Sequence, residues 1–392
     1  MTKHRLFWPA AVLVAMLLAN LLFTPDFFAV HTKEGHLYGS LIDILHFGAP
    51  LILVSLGMTL VIATGGIDLS VGSTVAIAGA LACLYISEAS DPGSVSTVLV
   101  AVALALAVAL VLGAVNGLLV SRIGVQPIVA TLILMVAGRG VAQLITDGQI
   151  ITITSDPYRL IGGGYWLTVP FSVLLAGAVV GLTLLLTRST ALGLLLESVG
   201  GNPVASRLVG IRAHRLTTLV YVASAVCAAV AGLMISSNVS AADGNNAGLW
   251  IELDAILAVV IGGTSLNGGR FSIGGTVLGA LVIQTLSTTI YTIGIPPETT
   301  LVFKAAVVIT VCLIQSPQFR AKATRRRTTA PGGQQPKPAS ADLKVGARTP
   351  LSPPNCADRS RCWSPLSCSS RCSVSARCST KASSPARSCS TC

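Results

Sequence analysis

Between residues 6 and 316 the chain is a succession of apolar runs about twenty residues long, parted by short joints. No other feature limits its possible folds so sharply. About 20 apolar residues in a helix cross about 30 Å of hydrocarbon, and lipid leaves no water to satisfy backbone polar groups outside regular structure. The expectation is an all-α polytopic membrane protein. Composition agrees, with 52% hydrophobic and 10% charged residues, against about a quarter charged in soluble domains.

Apolar runs read against polar breaks give ten candidate helices, at 6–23, 41–63, 71–88, 95–120, 124–145, 167–186, 216–236, 252–265, 272–293 and 300–316. The eighth is short and opens with Glu252 and Asp254, which suits a partial crossing. The first follows a basic N-terminal segment in the manner of a signal peptide. It is long for a cleaved signal and no small-x-small site follows, so an uncleaved first helix is expected.

The net charge of +11 is placed by topology rather than by nucleic acid. Cytoplasmic segments of membrane proteins carry an excess of Lys and Arg. A cytoplasmic N-terminus puts Lys3, Arg5, Arg122, Arg188, Arg207, Arg212, Arg215, Arg270 and the basic run 320–327 inside. Outside it leaves Lys33 and Arg159, beside Asp26, Glu34, Glu88, Asp91, Asp147, Asp156, Asp243 and Glu298. Ten spans with both the N- and C-termini cytoplasmic are therefore expected, with membrane lipid as surroundings and no nucleic acid partner.

The domain boundary falls at the end of the apolar series. Residues 1–317 form the transmembrane domain, and 318–392 change abruptly to Arg, Ser, Thr, Pro and Cys. Such a low-complexity tail buries too little surface to fold and is expected to be disordered. Its "RCWSPLSCSSRCSVSARCST" has the character of out-of-frame translation of GC-rich coding sequence. Of the ten cysteines, Cys83, Cys227 and Cys312 lie in apolar runs and seven lie in the tail, so no disulfide framework is indicated.

Catalytic templates are missing. The chain has no G-x-x-x-x-G-K-[ST] phosphate loop, no H-E-x-x-H and no G-x-S-x-G elbow. Its histidines (His4, His31, His36, His46, His214) are scattered, which gives no metal site. The chain is read as no enzyme, with no cofactor of its own, and any ATP used is hydrolysed on another chain.

What stands out instead is an internal echo. Gly65-Gly66-Ile67-Asp68-Leu69-Ser70 reads like Gly262-Gly263-Thr264-Ser265-Leu266-Asn267, the second copy continuing through Gly268 and Gly269. Beyond each, Val71-Gly72-Ser73-Thr74-Val75 matches Ile273-Gly274-Gly275-Thr276-Val277, with five extra residues in the second copy. Transporters carry glycine-interrupted helices at corresponding places of two halves, so both stretches are candidate helix joints or pathway elements. Asp68 has two readings. At mid-bilayer a lone carboxylate costs about 2.5–3.5 kcal/mol and needs a partner or water. As a cap it would accept free N–H groups at the start of the helix from Val71, and this is the cheaper role. Arg139 and Lys304 are expected to be snorkelling or paired, and His46 and Asp43 to be interfacial.

The segment 187–215 is the other candidate. Within it a short helical piece, 203–208, is bracketed by Gly200-Gly201 and Gly210 and carries Arg207, with Arg212 and Arg215 beyond. It reads either as a solvated positive-inside loop or as a docking helix for a soluble partner, and the glycine hinges suit the second.

Through "GMTLVIATGGIDLSVGS", "GGNPVASRLVGI" and "ELDAILAVVIGGTSLNGGRFSIGGTVLGAL", residues 41–315 resemble the permease subunits of bacterial ABC sugar importers of the ribose, xylose and galactose group. "ATLILMVAGRGVAQLIT" and "NNAGLWIELDAILAVVIGG" look closest to a galactofuranose importer permease. The resemblance implies a multi-pass protein of the bacterial inner membrane that moves a monosaccharide. It implies three partners: an ATP-binding cassette protein holding ATP and Mg, a periplasmic sugar-binding protein, and a second permease that is a related but different chain. It also implies a coupling role for Gly200, Gly201, Asn202, Ala205, Arg207 and Gly210. "LGLLLESVG" ahead of that segment departs from the more polar run usual in the family, and the tail matches nothing in it. The competing reading is an ion-coupled secondary sugar transporter with Asp68 as its working carboxylate.

Overall fold

The computed structural model describes residues 3–23, 27–29, 31–33, 36–166, 168–294, 299, 302–306 and 309. Most of the tenth apolar run, Cys312 and the whole tail 318–392 lie outside the described residues. The helices are α1 (Lys3–Phe23), α2 (Ser40–Ala63), α3 (Val71–Glu88), α4 (Val95–Leu118), α5 (Pro127–Ile145), α6 (Asp156–Gly163), α7 (Phe171–Ser189), α8 (Leu192–Gly201), α9 (Pro203–Leu208), α10 (Ala213–Val239), α11 (Ile251–Ile261) and α12 (Ile273–Ile293). A π turn, Leu119–Ile123, extends α4.

Seven of these are long and apolar enough to cross a membrane: α2, α3, α4 with its π turn, α5, α7, α10 and α12. The eighth run is α11, whose 11 residues rise only about 16 Å at 1.5 Å per residue, half a crossing. Helix ends follow local chemistry. Pro127 opens α5 just after the left-handed Gly124, and a left-handed Gly294 closes α12; proline suits a first helical turn and glycine the residue past the last.

The helices sort into a packed centre and an outer ring. Every residue of α2 from Gly48 to Ala63 is buried, as is one residue after another of α10, and a helix apolar on all sides belongs inside. Backbones approach closely there: a side chain on Gly57 would lie 2.8 Å from Ser224 Cα, and one on Gly113 2.7 Å from Val222 Cα. Small residues permit such contact between membrane helices. By contrast α4, α5 and α7 present Leu99, Val111, Ile133, Val136, Leu182 and Leu185 outward. Each such side chain loses about 1.5–3 kcal/mol if left in water, which suits surroundings less polar than water. The first helix joins the bundle through buried Asn20, whose Nδ2 donates to Thr289 Oγ1 of α12 at 2.7 Å.

The connections collect at opposite ends. At one end Gly269 N–H reaches Ala63 O, linking the joints after α2 and α11, and the His214 ring in the first turn of α10 meets Ser121 O of the π turn after α4. At the other end lie three short antiparallel pairs: β1 (His31–Lys33) with β2 (His36–Tyr38), β3 (Ile150–Thr152) with β6 (Ala241–Asp243), and β4 (Tyr165–Trp166) with β5 (Val169–Pro170). Of the charges that the bias separates, Arg122 and Arg270 fall with the first group and Asp147 and Asp243 with the second. The strands correct the all-α expectation in detail: pairs of two or three residues are too short to show an alternating pattern.

Candidate functional site

Asp68 sits in the joint between α2 and α3, 1% exposed. Its Oδ1 accepts from the Ser70 backbone N–H at 3.1 Å and the Ser70 hydroxyl at 2.6 Å, and its Oδ2 accepts from Ser224 of α10 at 2.9 Å. Ser70 Oγ in turn accepts from Asn116 Nδ2 of α4 at 2.8 Å. Asp68 does not cap α3 as expected: no N–H of the helix from Val71 reaches it. The carboxylate takes the N–H one residue before the helix instead of those from Val71 onward, and it ties three helices together. Ser224 lies near the middle of α10, so the chain returns from the end of α2 well into the bundle before α3 begins.

The second joint shares the architecture with a shifted register. α2 ends with Gly65 at φ +82°, its N–H bonded to Ile62 O and that of Gly66 to Val61 O. α11 ends with Gly263 at φ +81°, its N–H bonded to Val260 O and that of Thr264 to Val259 O. Both are Schellman closures, so Gly65 corresponds to Gly263, one residue off the pairing with Gly262 that the letters suggest. At the helix starts the letters hold. Thr74 Oγ1 donates to Ser70 O at 3.0 Å and Thr276 Oγ1 to Ser272 O at 3.2 Å. Gly262 serves a different contact. Its missing side chain lets the end of α11 touch Gly275 of α12, where a Cβ would sit 2.5 Å from the carbonyl carbon.

The two joints meet each other, and the 187–215 segment meets both. Gly269 N–H donates to Ala63 O at 2.9 Å. Gly200, at the end of α8, lies against this bond: a Cβ there would strike Ala63 O and stand 2.5 Å from Gly269 N. Gly268, at φ +83°, is packed on Gly200 O and the backbone of Gly65. Three glycine-bearing stretches remote in sequence therefore form one junction, backbone against backbone. Gly201 points elsewhere, with nothing within 4 Å of its would-be side chain. Asn267 is exposed, its N–H turned to Ser265 Oγ at 3.3 Å, and takes no part in the junction.

From the junction the chain runs out onto α9. Asn202 caps it, its Oδ1 accepting the N–H groups of Val204 at 3.1 Å and Ala205 at 3.0 Å. Buried Ser206 anchors it through its hydroxyl to Ser198 O at 2.9 Å. The rest is exposed: Ala205 and Arg207, and three large apolar side chains, Val204 at 65%, Leu208 at 84% and Val209 at 76%. Gly210 follows at φ +87° and turns the chain toward α10. The helix 203–208 is legible in sequence. The preceding "LGLLLESVG" is helix too, fixed by buried Gly193, Leu196 and Val199.

Charged residues within the bundle are paired or buried. Lys304 Nζ holds Asp254 Oδ2 at 2.8 Å. Arg139 Nη1 donates to Ala247 O at 2.6 Å. Glu252, 3% exposed, packs against Gly72 at the start of α3, and its Oε2 has no hydrogen-bond partner among the described residues. In sequence Glu252 reads as a helix-end residue; only the half-length of α11, which starts inside the bundle, buries it. His46 is not merely interfacial: its ring meets Ser172 Oγ at 2.7 Å and Asn238 Oδ1 at 3.3 Å, between helices.

An exposed apolar ring around a centre of glycine-broken helices, with a short exposed helix at one end, fits a multi-pass membrane protein. The chain belongs to the family of branched-chain amino acid transport system permease components, whose model matches residues 40–312. It is 49% identical over 323 residues to the galactofuranose transporter permease protein YtfT of Escherichia coli (strain K12), covering 81% of this chain and 93% of that one. It is 41% identical to the fructose import permease protein FruF of Bifidobacterium longum (strain NCC 2705), over 81% of this chain and 89% of that one. The ribose import permease protein RbsC of Escherichia coli (strain K12) is 36% identical, over 78% of this chain and 92% of that one. No solved structure matches the chain significantly.

Proposed function

We propose that this chain is the membrane permease of an ATP-driven importer that carries a monosaccharide, galactofuranose or a related sugar, across the bacterial inner membrane. The observation that carries the reading is the junction at Gly200. An exposed apolar helix, α9, begins three residues after a glycine whose backbone touches both glycine joints, so a push on α9 has a short backbone route to α2 and α11. Likeness to three sugar import permeases supports the substrate class.

In this reading residues 1–317 are the permease, with ten spans and both termini in the cytoplasm, and 318–392 are an appended low-complexity stretch. ATP and Mg are held by a separate ATP-binding cassette protein that docks on α9 through Ala205, Arg207 and the apolar side chains beside them. A periplasmic sugar-binding protein delivers the sugar at the opposite end, and a related second permease completes the pathway. Likeness to sugar import permeases favours this reading over the ion-coupled alternative, and the buried Asp68 is engaged by three hydrogen bonds within the fold.

The test is co-purification. Tagged full-length chain, expressed with the neighbouring genes, is expected to bring down an ATP-binding protein and a second permease. The complex should hydrolyse ATP faster when a sugar-loaded binding protein is added. Recovery of the chain alone, with sugar uptake unimpaired by deletion of every neighbouring ATP-binding gene, would overturn the proposal.

A further inference from the structure

Between α2, α10, α11 and α12, at the end of the bundle that carries the strand pairs, lies a cavity of about 350 Å³. Pockets for small molecules begin at about 300 Å³. Its polar lining comes from at least six separate stretches of chain. His46 of α2 and Asn238 of α10 form one wall, their contact steadied by Ser172 of α7. Gln284 and Ser287 of α12 form another, and the Asp254–Lys304 ion pair a third. Phe47, 51% exposed, stands at the edge with its ring packed on His46, centroids 4.9 Å apart.

This donor set contrasts with the alanine-rich helix contacts that make up much of the core. We infer that the cavity is a sugar-binding station within the permease itself, taking one monosaccharide on its way from the delivering protein to the glycine joints. The inference rests on the proposed sugar-permease reading. Sugar hydroxyls each donate and accept, so a sugar needs both kinds of partner close together. Asp254 engages Lys304 through Oδ2, leaving Oδ1 to accept a hydroxyl, and the ammonium keeps two further N–H groups. Gln284 supplies an amide donor and acceptor and makes no side-chain hydrogen bond among the described residues. The ring of Phe47 offers an apolar face to the C–H side of the sugar. The walls belong to helices that end in different joints, α2 in the first and α11 in the second, so joint movement would open or close the station.

Saturation-transfer NMR on the assembled importer, without its delivering protein, reads weak binding directly, with galactose, fructose and ribose as probes. Transfer to at least one of these sugars is expected in the unaltered complex, with a fall of about fivefold or more in Gln284→Ala and in Asp254→Asn. Gln284→Ala removes no hydrogen bond between described residues, and a thermal midpoint equal to that of the unaltered complex separates a loss there from a folding defect. No transfer in the unaltered complex, or transfer undiminished in both variants, would overturn the station. Sugar uptake by cells carrying the unaltered importer is measured alongside: if uptake itself is missing, the permease reading fails, whereas uptake without saturation transfer refutes the station alone.

Discussion

Gly200→Ala is the perturbation that most directly probes the junction. The added methyl would occupy the place of Ala63 O and stand 2.5 Å from Gly269 N, the atom that donates to that same oxygen. Relief requires α8 to move away from both joints. Overpacking costs about 1–3 kcal/mol and a lost hydrogen bond about 0.5–1.5 kcal/mol, while alanine at a helical position returns about 1 kcal/mol. The net is about 2 kcal/mol against the packed junction, which shifts a two-state balance about 30-fold. Import per ATP hydrolysed by reconstituted importer should therefore fall about tenfold or more, with ATP hydrolysis continuing. Gly201→Ala is the comparison, because nothing lies within 4 Å of its new methyl; import there should stay within about twofold. Wild-type import by Gly200→Ala, or equal loss in both variants, would refute the backbone-contact reasoning.

Other substitutions separate fold from function. Asp68→Ala strips three hydrogen bonds from a buried site, each about 1.5–3 kcal/mol when one partner is charged. Quantitative blotting should show less permease in the membrane, with uptake per molecule retained, while Asp68→Asn loses less. Leu208→Asp at an 84% exposed position should leave the thermal midpoint within about 2 °C yet weaken co-purification of the ATP-binding protein about tenfold. Gly72→Ala drives a methyl into the Glu252 carboxylate and to 2.9 Å from Gly248 O, and should lower thermal stability by about 1–3 kcal/mol. Gly72→Ala with Glu252→Ala should recover part of that loss in the same melting assay.

Much of this molecule is written in local sequence. Apolar runs give the spans because lipid enforces their length, and Pro203 with Asn202 gives α9 because capping is a property of neighbouring residues. The glycine joints are legible for the same reason. Their meeting is not: nothing in "GGNPVASRLVGI" tells that Gly200 touches Ala63 and Gly269, because backbone contact between remote glycines leaves no side-chain pattern. The one-residue shift between Gly65 and Gly263 is hidden because matching letters compete with matching hydrogen bonds. Asp68 shows a milder form of the problem. Its bond to Ser70 is local, whereas Ser224 lies 156 residues away. The cavity around His46, Gln284 and Lys304 is invisible in sequence, since each residue alone looks like an ordinary polar exception in an apolar run.

The energy source for uptake decides most directly between an ATP-driven permease and an ion-coupled carrier. The importer is reconstituted in vesicles with ATP enclosed, a sugar-loaded binding protein outside, and ionophores present to abolish every ion gradient. Radiolabelled sugar should accumulate in proportion to ATP hydrolysed and stop when ATP is replaced by a non-hydrolysable analogue. Accumulation that ignores ATP and collapses with the ionophores would contradict the ATP-driven mechanism.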